Sequence, residues 1–360
     1  MYAIALIIFA PMKNLYLLAL LALICFLGCS PDNTEQSKAL LIEGNTFLDN
    51  RQYPEAIRVY TEAIKLYPDN FEAYNNRGIA LQRAGRANEA ISDFSKAISI
   101  SPEYAQAYYN QGLVYLDLVD WDSAAGNLKK AAQLQPDSAA YWQALGIVYS
   151  YQQEADSALS ALDKAIALAP KQAETYVNRA LVKMEIQDNT GAHLDLKTAL
   201  KLAPGHPDAH NALSQLLVSE KNYDEALLEV NKALIKNPKS AFYLNNRGFI
   251  LTNLEEYDQA SADIEASLKI DSTNALAIRN KGVLALYKEN YSLAQQLLQK
   301  SLEMNPFLDE AHYYLGEVYY RQNNIDQACQ IWQKSAELNE AAGQLALQEI
   351  CGEDYANPRS

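Results

Sequence analysis

The sequence predicts an all-α chain, a right-handed superhelical solenoid of nine 34-residue helix-turn-helix repeats closed by a C-terminal capping helix. Two observations carry this. Prolines stand at 68, 102, 136, 170, 204, 238 and 306, with Ser272 in the one substituted slot, a constant spacing of 34. Alanines at 56, 90, 124, 158, 192, 226, 260, 294 and 328 keep the same period through all nine units, and a fixed period of this length marks a repeat array. Glycine (14) and proline (12) are also scarce in 360 residues, fewer chain breakers than a compact α/β domain of this length uses in its turns. The hydrophobic share of 49% and charged share of 21% exclude a disordered, collagenous or polytopic membrane chain.

The N-terminus reads as a targeting segment (1–28). Lys13 supplies a basic start and residues 15–26 an apolar run of about a dozen residues, short for a membrane span. Lys13 and Asn14 separate this run from the apolar residues 1–11, which makes Met12 the expected start of translation. Leu27-Gly28-Cys29 followed by the polar residues 30–36 resembles a bacterial lipoprotein signal, although Phe26 stands where leucine is usual. The resemblance implies that Cys29 is lipidated and begins the mature chain, with residues 29–36 as a tether. An uncleaved anchor helix is the other reading, and either one places the protein at a membrane. Ser30 after the lipidated cysteine resembles outer-membrane sorting, so a lipid-anchored place in the bacterial cell envelope is expected, its facing side left open.

Within residues 37–342 each unit carries two amphipathic helices. In 71–104, Tyr74, Gly78 and Leu81 share one helical face and Ala90, Ile91, Phe94, Ala97 and Ile98 another, separated by Ala84-Gly85-Arg86. Small residues at positions 8, 20 and 27 let the helices approach closely, aromatics fill the gaps, and the proline at position 32 ends the second helix. Trp142, Leu145-Gly146, Tyr149, Ala158, Leu162, Ala165 and Pro170 together resemble the tetratricopeptide repeat signature. Residues 343–360 begin a tenth first helix, but Ile350 takes the close-packing glycine position, so this segment is expected to be the capping helix and tail.

Catalytic patterns are nearly absent: there is no Gly-rich phosphate loop, nucleophile elbow or H-E-x-x-H. No cofactor or metal is expected. Of the histidines, His206 falls in an inter-repeat turn, while His210 and His312 occupy the aromatic position 4 and read as core residues. Cys329 and Cys351 face one another if the cap folds back on the ninth repeat, leaving a disulfide or two buried thiols as the readings. A formal net charge of −14 argues against nucleic acid as partner.

Resemblance to the tetratricopeptide family implies a concave groove lined by the first helices. There position 6 is Asn76, Asn110, Asn178, Asn246 and Asn280, interrupted by Ile42, Ala144, Ala212 and Tyr314. Such carboxamides either grip an extended peptide backbone, as in the asparagine ladder of the O-linked N-acetylglucosamine transferase, or serve the fold. Position 9 supplies Ile79, Leu113, Ile147 and Leu181, then Phe249 and Val283, with Tyr109 nearby. This is either an apolar stripe for a partner or inter-helix packing. No three consecutive units hold the lysine, arginine and asparagine set of the chaperone carboxylate clamp. The expected function is a membrane-anchored, non-enzymatic scaffold or adaptor that binds a protein or peptide in its concave groove for envelope complex assembly. The alternative is a carbohydrate- or peptidoglycan-binding solenoid using Asn75, Asn76, Tyr109 and Asn110.

Overall fold

The computed structural model describes residues 33–308 and 310–352. The expected signal peptide, Cys29 and the tail from 353 lie outside them. The described residues are helical apart from their turns, and no helix among them is long and apolar enough to cross a membrane. The chain divides into two compact units, Met1–Gln152 and Gln153–Ser360.

The first unit contains α1 (Asn33–Asp49), α2 (Tyr53–Leu66), α3 (Phe71–Arg83), α4 (Ala87–Ile100), α5 (Ala105–Asp117), α6 (Trp121–Leu134) and α7 (Ala139–Tyr151). The second contains α8 (Ala155–Leu168), α9 (Ala173–Glu185), α10 (Asn189–Leu202), α11 (Pro207–Ser219), α12 (Tyr223–Lys236), α13 (Ala241–Asn253), α14 (Tyr257–Ile270), α15 (Ala275–Tyr287), α16 (Tyr291–Met304), α17 (Ala311–Arg321), α18 (Ile325–Glu337) and α19 (Ala341–Ala346), extended by a π-turn at Leu347–Cys351. Two boundaries differ from expectation. Helix α1 starts at Asn33, so residues 33–36 are helix rather than tether, with Lys38 paired to Glu35 at 2.8 Å along its first turns. The cap starts at Ala341, two residues early, because Leu338 and Asn339 already form the turn that ends α18.

Close approach of the paired helices follows from position 8. A Cβ on Gly78 would lie 2.7 Å from the Phe94 ring, and one on Gly316 would lie 2.4 Å from Trp332. The ring occupies the volume the glycine vacates, so position 24 is fully buried from Tyr60 and Phe94 through to Trp332. Where position 27 turns from alanine to serine, the buried hydroxyls find acceptors: Ser267 Oγ donates to Ala241 O at 2.7 Å, Ser301 Oγ to Leu298 O at 2.7 Å, and Ser335 Oγ to a Glu340 carboxylate oxygen.

The turn inside each repeat places position 15 in the left-handed region, with Val119 at φ 63° and Gln187 at φ 62°; only Gly85 is a glycine there. The capping pattern is a Schellman motif, with Val119 N–H donating to Leu116 O and Asp120 N–H to Tyr115 O. A β-branched residue in this region is strained. Val119→Gly therefore raises stability by about 0.5–1 kcal/mol, read as a higher urea midpoint at unchanged slope; a lower midpoint would refute the strain.

Three arginines at position 7 join adjacent elements. Arg77, Arg179 and Arg247 each make a two-pronged bridge to the aspartate at position 23 of their own repeat, Asp93, Asp195 and Asp263. A third guanidinium nitrogen reaches position 25 of the repeat before: Thr61, Asp163 and Asn231. Carboxylate contact holds all three guanidiniums above their usual pKa. At the C-terminus Trp332, Ala328, Ala346 and Leu347 form a small core, and Cys329 is bonded to Cys351 with their Cα atoms 5.8 Å apart. The π-turn carries Cys351 to that position.

Candidate partner-binding groove

In each unit the first helices of neighbouring repeats touch one another while the second helices pack against first helices, so the first helices form the inner face. The position-6 asparagines lie there, but four of the five donate one N–H within the protein. Nδ2 of Asn110, Asn246 and Asn280 donates at 2.9 Å to the Oδ1 of the residue thirty-five positions back, Asn75, Asn211 and Asn245. Asn76 Nδ2 donates to Asn45 Oδ1 at 2.9 Å. Asn178 Nδ2 is buried without a partner among the described residues. Of the two readings of the row, these bonds support a role in the fold: position 5 carries an asparagine beneath each of three position-6 asparagines, and the amides join repeat to repeat. Asn246 Oδ1 remains without a partner among the described residues.

The apolar stripe is likewise mostly packing. Ile79 and Leu113 pack against the cores around Val114 and Leu128. Ile147 is half-buried, Val283 is fully buried, and the Tyr109 ring lies 4.7 Å from that of Tyr141. Leu181 alone of the four stripe residues in repeats two to five is exposed. The residues of the glycan-binding alternative are partly engaged too, since Asn75, Asn76 and Asn110 each donate one N–H to one another or to Asn45.

A groove of about 470 Å³ lies instead on the inner face of the second unit, across repeats six to nine. Phe242, Phe249 and Leu276 give it an apolar wall, and Asn246 and Gln215 line it with amides. Lys221 and Glu310 are also on its lining. Arg279, buried, stacks its guanidinium 5.4 Å from the Phe249 ring centre and donates to Asn280 Oδ1. Phe242 keeps 43% of its surface exposed. One sequence signal pointed here: position 2 is charged or polar in Lys38, Glu72, Gln106, Glu174, Asp208 and Glu310, but Phe242 and Leu276 in repeats seven and eight.

Three of the four histidines serve turns, and His193 pairs with Glu220. His206 Nδ1 accepts the Ala209 N–H, so Nε2 carries the proton and donates to Glu174 Oε2 at 3.0 Å. A carboxylate oxygen of Asp208, which accepts from the Tyr243 hydroxyl, lies within 4.8 Å of both other ligand atoms. A cation on Nε2 would displace that proton to Nδ1 and cost the helix its cap. His210 and His312 place Nε2 against the carbonyls of Pro204 and Pro306, where Trp142 and Tyr176 place their own donors against Pro136 and Pro170. At these four position-4 residues a ring nitrogen or hydroxyl meets the same turn carbonyl, so histidine there does the work of Trp142 and Tyr176.

Stacked helix pairs with a ligand-sized groove on the inner helices define a helical-repeat recognition protein. The chain belongs to the tetratricopeptide repeat family, whose models match residues 43–107, 109–173 and 279–346, and further 183–244 and 243–274. Among solved structures the fold is similar to that of the APC/C hetero-tetramer Cut9–Hcn1, at 20% identity and a TM-score of 0.61 over 78% of this chain and 55% of that one. It is similar also to pilF of Pseudomonas aeruginosa, at 17% identity and a TM-score of 0.52 over 59% of this chain and 97% of that one. At these identities the likeness is one of fold, and the chain spans about half the length of the first of them. A search of curated proteins finds no match in sequence.

Proposed function

We propose that the protein is a non-enzymatic scaffold, lipid-anchored through Cys29 in the bacterial cell envelope, that holds an extended segment of a partner protein in the groove of its second unit. The observation that carries this reading is the groove itself: exposed Phe242 beside Phe249 and Leu276, with the open acceptor of Asn246 among them. An aromatic wall with a few placed polar atoms is how protein surfaces take up a partner's side chain and orient its backbone. The anchor rests on the Leu27-Gly28-Cys29 pattern, and the outer membrane is the expected membrane.

A photo-crosslinking residue replacing Phe242 in native membranes should capture one discrete partner. Phe249→Ala in the same chain should reduce that capture about tenfold, since loss of one aromatic anchor costs at least about 1.4 kcal/mol. Equal capture from a crosslinker at Leu228, exposed on a second helix, would refute the groove as the site. Acyl labelling abolished by Cys29→Ala tests the anchor.

A further inference from the structure

A second cavity, of about 210 Å³, occupies the same register two repeats further along the inner face. It is lined by Tyr287, Tyr291, Tyr313, Tyr314, Glu289 and Glu317, with Arg321 also on its wall. Tyr314 lines both cavities, so the two are neighbours.

Its lining is electronegative almost throughout. Four phenol rings line it, a residue type whose face attracts cations, and two carboxylates add negative charge, that of Glu317 shared with Arg321. Arg321, the one cation lining the cavity among the described residues, is engaged, with Nε donating to Glu317 Oε1 at 2.8 Å, and its side chain is mostly exposed. Tyr313 and Tyr314 meet edge to face with ring centres 5.2 Å apart, which leaves the faces of the pair turned in different directions. Tyr287 keeps 44% of its surface open.

Tyr314 is only 8% exposed, so its ring is held firmly in the wall between the two cavities. Burial first, then the Glu310 carboxylate, pushes the Tyr314 phenol up from its ordinary pKa. Burial, with Glu317 and Glu310 adding, does the same to Tyr287 and Tyr313. The carboxylate share of these shifts, smaller than that of burial, reflects a negative potential at the rings.

We infer that this tyrosine-walled cavity is a subsite for a cationic side chain, lysine or arginine, of the partner segment whose apolar side chain lies in the neighbouring groove. The volume suits an ammonium or guanidinium with its last methylenes. The partner motif is therefore an apolar residue close to a basic one. This rests on the scaffold reading for the source of the cation, but the cavity's own chemistry is testable without any partner.

The test is a titration of the full chain, carrying 13C-labelled tyrosine rings, with Nα-acetyl-lysine amide and, separately, with the uncharged Nα-acetyl-norleucine amide. The lysine probe should shift the resonances of Tyr287, Tyr313 and Tyr314 saturably, and the norleucine probe should not. Tyr287→Ala, at an exposed position that the fold does not need, should weaken the lysine probe about tenfold. Tyr287→Phe should retain it within about twofold, because the ring face does the binding. Equal shifts from the norleucine probe, no saturable shift from the lysine probe, or an unchanged Tyr287→Ala variant would each overturn the proposal. Loss of crosslinking at Phe242 with the lysine response intact would remove the scaffold reading and leave the cation subsite standing.

Discussion

Replacing Arg179 by methionine lowers the stability of the second unit by about 3 kcal/mol. Its guanidinium holds Asp195 through two hydrogen bonds of 2.6 and 2.8 Å and reaches Asp163 at 2.6 Å. The Asp195 side chain is 2% exposed, so the substitution leaves a carboxylate that water cannot reach. The expected cost sits at the low end for a broken buried pair because Lys183 Nζ remains 2.8 Å away. Removing both partners, Arg179→Met with Asp195→Leu, should recover part of the loss, since the buried carboxylate is gone and only Lys183, whose side chain is 18% exposed, loses its partner. Urea unfolding of the four members of the cycle measures this. If Arg179→Met costs no more than Arg58→Met, whose side chain is 61% exposed, the clamp contributes nothing and the account fails.

The second large effect is at the C-terminal end. Trp332→Ala should cost about 3–5 kcal/mol. The indole is fully buried against Ala346 and Leu347, and its Nε1–H donates to Tyr313 O at 3.1 Å. The cap loses its docking surface, so amide exchange over residues 325–351 should accelerate even with the Cys329–Cys351 bond intact. Position 8 supplies an internal check. Gly316→Ala in the otherwise unchanged protein forces a methyl to 2.4 Å from the indole and should destabilise by about 1–3 kcal/mol. In the Trp332→Ala background the same methyl enters a void and should be neutral or stabilising. An equal penalty in both backgrounds would show that the glycine is needed for some reason other than the ring.

How far the sequence was legible differs between scaffold and site. The helix pairs, their turns and the cap were readable because each repeat restates the same constraints: glycine 8 against the bulky position 24, alanine at 20 and 27, proline at 32. The Arg–Asp clamps were missed because they recur in only three repeats, and a sixteen-residue spacing across a turn has no helical signature. The asparagine row was legible as a row but not in its role. Position 6 in isolation offers donors to a groove, and only the position-5 oxygen of the previous repeat, 2.9 Å away in Asn110, Asn246 and Asn280, shows where they go.

The sequence by itself determined the period, the helical class and the packing of each repeat, because these depend on interactions local to one unit and its neighbour and are repeated nine times. The tertiary structure alone decided which inner-face residues are consumed and which stay open. Stacking brings position 5 of one repeat against position 6 of the next, closing the amides and burying Val283, while it leaves Phe242, Asn246 and Tyr287 at the surface. Openness belongs to no single residue; it depends on the neighbouring repeats, and those neighbours differ between the seventh to ninth repeats and the others.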